Sequence, residues 1–140
     1  MEPITLRYTV IPDDFSRAGE ASSEVKRTLK QLGFSPDTVR RVAIAMYEGE
    51  INMVIHANGG EILVDVTPKR IDIELADVGP GIADIGLAMT MGYSTASETV
   101  RDLGFGAGMG LPNMKKYTDC LEVESVVGVG TTVRMSILVP

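Results

Sequence analysis

Residues 35–60 read SPDTVRRVAIAMYEGEINMVIHANGG and contain the strongest structural signal in the chain. Ser35-Pro36-Asp37 is typical of a helix start, because a hydroxyl cap, a proline in the first turn and an acid at the positive end of the helix dipole agree. Apolar residues then recur at helical spacing until the turn signal Asn58-Gly59-Gly60. We therefore predict a helix of about 22 residues.

The residues before this helix predict a strand and a first helix. Apolar and polar residues alternate from Ile4 to Val10, which is the period of a half-buried strand. The next segment has helical periodicity over about residues 14–32, with Asp13 or Asp14 as the cap and Gly33 as a left-handed stop. The chain therefore starts with a strand followed by two helices.

The residues after the long helix predict hairpins around a glycine-rich segment. Residues 77–110 are rich in glycine, serine and threonine, and a long irregular segment in a compact domain is usually functional or disordered. We favour function. The remaining predicted elements are two strands of a hairpin, a short helical stretch, a further helix and two closing strands: 61–66, 71–76, 84–91, 111–117, 121–126 and 131–139.

The element order and the length predict one α+β domain. Strands and helices do not alternate strictly, which favours a two-layer α/β sandwich with helices on one face of a mostly antiparallel or mixed sheet. A chain of 140 residues is in the size range of one domain with one core, so we assign residues 1–140 to a single domain.

Composition narrows the classes of function. A net charge of −6 and a pI near 4.7 disfavour nonspecific binding to nucleic acid or anionic lipid. No run reaches 18 apolar residues and the first residues do not resemble a signal peptide, so we expect a cytoplasmic protein without membrane attachment. Cys120 is the only cysteine, which excludes an intrachain disulfide, and we expect it to be a buried packing residue.

Three segments contain residues suited to binding chemistry, and the first is Glu48, Asn52 and His56 on the long helix. Steps of four residues place the three side chains in one stripe along the helix. A carboxylate and an amide oxygen suit magnesium, and a carboxylate also suits a general base. An ordinary solvated helix face has the same spacing and stays the alternative.

The second segment is Asp77-Val78-Gly79-Pro80-Gly81, directly after a predicted strand. The carboxylate of Asp77 can accept a hydrogen bond from the amino group of a planar ligand such as adenine. Gly79 and Gly81 would let the backbone approach such a ligand closely. A simple turn capped by Asp77 explains the segment equally well.

The third segment is a glycine run directly before a predicted helix. Free backbone N–H groups at a helix start form an anion site, and phosphate is its natural occupant. The run lacks the Gly-Lys-Ser/Thr of a P-loop and does not follow a strand as a dinucleotide motif does. A flexible linker is the alternative. The candidate residues are Gly104, Gly106, Gly108, Met109, Gly110 and Leu111.

In this order, the three segments resemble the motifs of the GHKL ATPase superfamily, whose ATP-binding domain has the Bergerat fold. Glu48 and Asn52 resemble its helix motif, 77–81 its adenine motif, and 106–111 the motif that follows its lid. Residues 128–132 resemble its last motif, and the match covers nearly the whole chain. Within the superfamily, the chain is most similar to bacterial anti-sigma-factor and switch-protein serine kinases.

The resemblance implies a site for ATP and Mg²⁺ and a role for each matched residue. It implies that Asp77 binds adenine with support from Thr131, and that Asn52 holds magnesium. It also implies that Glu48 is the general base toward a serine or threonine of a STAS-type switch protein. The glycine run would bind the phosphates, and His56 lies where relatives often have a basic residue.

One departure from the family pattern leaves two functions open. Some relatives have an arginine just before the glycine motif, where this chain has Phe105 and Gly106. Arg101 or Lys115 could replace it. The first hypothesis is a protein serine/threonine kinase, supported by Glu48 on the same helix face as Asn52. The missing arginine favours the alternative, an anti-sigma factor or nucleotide-gated binding module without phosphoryl transfer. Relatives also suggest a sigma factor as a partner and a homodimer as the assembly.

Overall fold

A computed structural model describes residues 2–12, 14–82, 85–89 and 110–140 of the protein. A short 3-10 turn at Phe15–Arg17 lies between the first strand and the first helix. The helices are α1 (Glu20–Gln31), α2 (Pro36–His56), α3 (Ile85–Ala88) and α4 (Gly110–Lys116). The strands are β1 (Ile4–Val10), β2 (Gly60–Val66), β3 (Arg70–Asp77), β4 (Cys120–Val126) and β5 (Gly130–Leu138).

The strands form one sheet in the order β1-β2-β3-β5-β4, with the helices packed on one face. The predicted two-layer α+β architecture is therefore confirmed. All four strand pairings of the described residues are antiparallel, which is the first of the two sheet types that the sequence predicts. The reason is that each connection between paired strands returns the chain to the sheet end where the previous strand finished.

The core lies between this sheet and the helices. Ile73 on β3 pairs with Val64 on β2 and with Met135 on β5, and all three are almost fully buried. The cross-strand rows on either side of this one are also apolar and buried, because every second residue of a strand faces the helices. Leu29, Met46 and Met114 cover these rows from α1, α2 and α4.

Several predicted boundaries are confirmed to within a residue or two. β1 spans the predicted range, and α2 has 21 residues with the hydroxyl of Ser35 accepting a hydrogen bond from the Thr38 N–H at 3.2 Å. The β2–β3 hairpin closes as expected through a bond from the Thr67 N–H to the Arg70 carbonyl. Within the described ranges, no helix combines the length and the apolar character that crossing a membrane requires.

The predicted start of the first helix is wrong. α1 begins at Glu20 because Gly19 is left-handed, with a φ of 91°. A Cβ there would also lie 2.9 Å from the ring of Tyr47, so only glycine fits. Asp14 accepts a hydrogen bond from the Ser16 hydroxyl instead of capping α1, and Asp13 lies outside the described residues.

The cap of α1 comes from α2. Glu50 is 3% exposed, and its carboxylate accepts hydrogen bonds from the backbone N–H groups of Gly19, Ala21 and Ser22 at 3.0–3.2 Å. The hydroxyl of Ser22 donates a fourth bond at 2.6 Å. These bonds satisfy N–H groups that the first turn of a helix otherwise leaves without partners. Glu50 therefore fixes α1 against α2.

Replacing Glu50 by alanine should lower the free energy of unfolding by roughly 3 kcal/mol, because several buried donors would lose their acceptor. Chemical denaturation measures this change. Glu20→Ala is the matched control, since Glu20 is exposed at the same helix end and should cost only about 0.3–1 kcal/mol. Equal effects of the two substitutions would contradict the role of Glu50.

The expected burial of Cys120 is also wrong. Cys120 is exposed at the start of β4, where it pairs with Ser136 on the face of the sheet that the helices leave open. Successive residues of a strand face opposite sides of the sheet. Leu121 faces the helices, so the neighbouring Cys120 faces away from them.

Candidate functional site

The start of α4 packs on the face of α2 that contains Glu48 and Asn52. The side-chain amide of Asn113 donates a hydrogen bond to Oε1 of Glu48 at 3.2 Å. A Cβ on Gly110 would lie 2.6 Å from Nδ2 of Asn52, so glycine lets the two elements approach closely. The first segment and the end of the third segment therefore meet.

Buried contacts hold this arrangement in place. Met114 of α4 is fully buried, and its sulfur lies 3.4 Å from the position that a Cβ on Gly49 would take. The same Cβ would lie 2.6 Å from Cδ2 of Leu75 on β3. The absence of a side chain at Gly49 therefore brings α2 close to both the sheet and α4.

Asp77, the last residue of β3, is bonded to the neighbouring strand. The backbone N–H of Thr131 donates to Oδ1 of Asp77 at 2.9 Å. Partial burial raises the pKa of the Asp77 carboxyl, and the bond from Thr131 opposes that shift. Oδ2 can still accept a hydrogen bond from a ligand.

The backbone after Asp77 is fixed by the β4–β5 hairpin. The Gly79 N–H donates to the carbonyl of Val129 at 3.0 Å, and the Gly128 N–H donates to the carbonyl of Pro80 at 2.8 Å. Gly81 is left-handed, with a φ of 75°, and a Cβ there would lie 2.6 Å from the carbonyl oxygen of Val126. Glycine at this position is therefore required by both conformation and space.

The turn that follows α2 is bonded to the same backbone. The Asn58 N–H donates to the carbonyl of Val78 at 2.6 Å, and the Val78 N–H donates to the carbonyl of Gly59 at 3.0 Å. Asn52 lies one helical turn before His56, the last residue of α2. α2 thus contacts α4, and the turn that follows α2 is bonded to the Asp77 segment.

The structure describes eight of the predicted site residues, and their contacts form two groups. Glu48, Asn52, Gly110 and Leu111 lie where α4 packs on α2, and Asp77, Gly79, Gly81 and Thr131 lie at the β4–β5 hairpin. Leu111 is buried beneath the start of α4, and Gly79 is buried beside the hairpin. The side chain of His56, the last residue of α2, lies outside the described part of the chain, as does Arg101. The glycine-run residues outside the described ranges are Gly104, Gly106, Gly108 and Met109.

The sequence motifs do not include Ser125, which connects the backbone that follows Asp77 with β5. Its hydroxyl accepts from the Ile82 N–H at 2.7 Å, donates to the Gly130 carbonyl at 3.2 Å and lies 2.8 Å from the hydroxyl of Thr131. A signal was present, because Ser125 occupies the inward position that Leu121 and Val123 occupy earlier on β4. A hydroxyl at an apolar position of a strand needs partners nearby.

Sequence reasoning also missed Glu50 and Asn113. Glu50 lies four residues after Met46 in the apolar stripe of α2, and an acid in that position indicates a buried carboxylate with donors around it. No comparable signal marks Asn113, because its partner Glu48 is 65 residues away in the chain.

Replacing Gly110 by alanine should displace the Asn52 amide while leaving the fold intact, because the new methyl group meets a side-chain end. We expect the free energy of unfolding to change by less than about 1 kcal/mol. Affinity for ATP with magnesium should fall about tenfold, which corresponds to ~1.4 kcal/mol. Calorimetry checks both values, with adenosine as the control ligand because its affinity should not change. Unchanged affinity for ATP with magnesium would contradict the contact.

Residues 11–137 match the family model of the histidine kinase-like ATPase domain. The chain belongs to this family, and its relatives include a serine/threonine-protein kinase and several anti-sigma F factors, which supports its place in the GHKL-type anti-sigma-factor kinase family. It is 33% identical over 113 residues to the serine/threonine-protein kinase RsbT of Bacillus subtilis, covering 78% of this chain and 79% of RsbT.

Two further comparisons agree with this assignment. The chain is 35% identical over 111 residues to the anti-sigma F factor of Caldanaerobacter subterraneus, covering 76% of this chain and 74% of that protein. The crystal structure of the RsbU and RsbW domains of a Mycobacterium tuberculosis protein has a TM-score of 0.60 and 14% identity. That comparison covers all of this chain but only 33% of the mycobacterial one, and it supports the fold.

Proposed function

We propose that this chain is a single ATP-binding domain that transfers a phosphoryl group from ATP to a serine or threonine of a STAS-domain switch protein. The observation that supports it best is the contact of α4 with α2. This contact places Gly110 beside Asn52 and Asn113 beside Glu48. The turn that follows α2 is bonded to the Asp77 segment, so the groups that we propose to bind the base and the phosphates lie on either side of the last turn of α2.

The Asp77 end suits adenine. One carboxylate oxygen is already held by the Thr131 N–H, which leaves the other oxygen to accept a hydrogen bond from the adenine amino group. The bond from Thr131 holds this carboxylate, and the bonds from Gly79 and Gly128 hold the backbone that follows Asp77. A preorganised acceptor costs less ordering when the ligand binds.

The Gly110 end suits the phosphates and a magnesium ion. The amide oxygen of Asn52 is a hard oxygen ligand of the kind magnesium prefers, and this ion usually takes one or two protein ligands together with substrate phosphates. When bound, magnesium neutralises negative charge on the phosphates. We propose that backbone N–H groups of Gly106, Gly108 and Gly110 bind the phosphate oxygens.

Glu48 is the proposed general base. In the transfer, the hydroxyl oxygen of the partner forms a bond to the terminal phosphorus of ATP, and the bond from that phosphorus to the oxygen of ADP breaks. The hydroxyl proton passes to the carboxylate of Glu48. The similarity to RsbT, a serine/threonine-protein kinase, supports this assignment.

A second candidate function is an anti-sigma factor in which ATP controls partner binding without transfer. The relatives that are named anti-sigma F factors, at 35% identity, favour it. In this case a sigma factor is the proposed partner, and a homodimer is the proposed assembly. Both candidate functions place the protein in the cytoplasm, where ATP and the transcription machinery are found.

The experiment incubates the purified protein with magnesium and ATP labelled at the terminal phosphate, together with STAS-domain proteins of the same organism. The proposal predicts label on a serine or threonine of one of them. ATP binding without any labelled partner would contradict the kinase. Nucleotide-dependent copurification of a sigma factor under the same conditions would support the second candidate instead.

A further inference from the structure

Asn113 is the residue of α4 that contacts Glu48 directly. Its Nδ2 lies 3.2 Å from Oε1 of Glu48, and the bond is partly buried between the two helices. Asparagine offers two N–H donors, whereas an ionised carboxylate only accepts. The bond engages Oε1, and among the described residues none donates a hydrogen bond to Oε2. Oε2 is therefore the oxygen that we assign to accept the proton.

The position of Asn113 is itself fixed. Met114, the next residue, is fully buried beside Gly49 of α2, and Leu111 is 6% exposed. The carbonyl of Asn113 accepts a hydrogen bond from the Tyr117 N–H at 3.1 Å. The Asn113 side chain therefore projects from a backbone that is anchored on both sides.

Asn113 also connects Glu48 to the glycine run. Gly110, the last glycine of that run, begins α4 and packs against Asn52, and Asn113 lies three residues later on the same helix. Three residues are close to one helical turn, so a shift of Gly110 moves Asn113 with it. Asn113 and Gly110 thus bring two positions of α4 against Glu48 and Asn52 of α2.

We propose that Asn113 is a positioning residue that orients the Glu48 carboxylate for proton transfer. This inference rests on the proposed kinase function. An orienting bond raises the rate of the reacting complex without contributing to ATP affinity. Its loss should therefore appear in kcat and not in the dissociation constant of ATP.

The test measures phosphoryl transfer and ATP affinity for Asn113→Ala and for the nearly isosteric Asn113→Asp. We expect kcat to fall at least tenfold in both variants, while the Kd for ATP stays within about twofold of the wild-type value. Asn113→Asp replaces the donor by a second carboxylate, so its kcat should be the lower of the two. Lys116→Ala, an exposed position on the same helix, is the control and should retain the wild-type rate.

A double substitution separates positioning from a merely structural role. In the Glu48→Gln background, adding Asn113→Ala should cause no further loss of kcat, because the group that Asn113 orients is already gone. Independent, multiplicative losses would overturn the inference, as would a wild-type rate in both single variants. Absence of transfer by the wild-type protein itself would instead refute the proposed function, and the inference with it.

Discussion

Replacing Asp77 by asparagine is expected to lower the affinity for ATP about 100-fold without weakening the fold. Thr131 would still donate to the remaining oxygen, but the second position would present an N–H group to the adenine amino group. Two facing donors leave both groups unpaired, and such a mismatch costs roughly 3 kcal/mol. Calorimetric titration with ATP and magnesium measures the loss.

Asp77→Asn should lower the affinity for ATP, but it should not lower the stability of the fold. Burial raises the pKa of Asp77 above its usual 3.8, so the folded state disfavours the ionised form. The stability associated with this group is present below the unfolded pKa and is lost as the pH rises through the folded pKa. At neutral pH the penalty is complete, and asparagine removes it. We therefore expect Asp77→Asn to melt at the same temperature as the wild type or slightly higher.

The same raised pKa predicts a pH dependence of binding. As the pH falls into the range above 3.8 where Asp77 takes up a proton, the affinity for adenosine should fall in the wild type and stay level in Asp77→Asn. Adenosine avoids the titration of the phosphates. Asp65→Asn, at an exposed position of β2, is the matched control. If Asp77→Asn binds ATP as tightly as the wild type does, Asp77 does not bind adenine.

Replacing Glu48 by glutamine should reduce the rate of phosphoryl transfer by about 10²–10⁴-fold, the usual contribution of a general base. Glutamine keeps the size of the side chain and an oxygen that can accept the bond from Asn113, but it cannot take up the hydroxyl proton. ATP affinity should stay within about twofold of the wild-type value, because the base acts only in the reacting complex.

A single-turnover labelling assay measures this rate, and Glu61→Gln is the control because Glu61 is exposed on β2, away from α4. If Glu48→Gln transfers phosphate at the wild-type rate, Glu48 is not the base. If the wild-type protein and Glu48→Gln both bind ATP and neither labels a partner, ATP controls partner binding and is not a phosphoryl donor.

Local signals in the sequence predicted most of the fold. The cap at Ser35, the proline after it and the apolar periodicity determine α2 through contacts between near neighbours, and alternation determines the strands in the same way. The start of α1 could not be predicted, because its cap is Glu50, which is 28 residues beyond Ser22. Tertiary contacts of this kind leave only an indirect trace, here an acid in an apolar stripe.

The residues of the candidate site also differ in whether the sequence alone predicts them. Glu48, Asn52 and Asp77 were singled out from residue type, spacing and resemblance, and the structure places them around α2. Asn113 and Ser125 were not, because their roles depend on which strand or helix lies opposite them. Residue types that bind ligands can therefore be read from one segment, whereas the residues that orient them need the assembled fold.

We propose that α2, the Asp77 segment and the start of α4 bind one nucleotide together. Titration of isotope-labelled protein with ATP and magnesium can be followed through the backbone amide NMR signals. We expect the signals of Asn52, Gly79, Gly81 and Gly110 to shift together and to saturate at one ligand concentration. Signals that do not move, or that move at only one of these places, would show that the three segments do not form one nucleotide site.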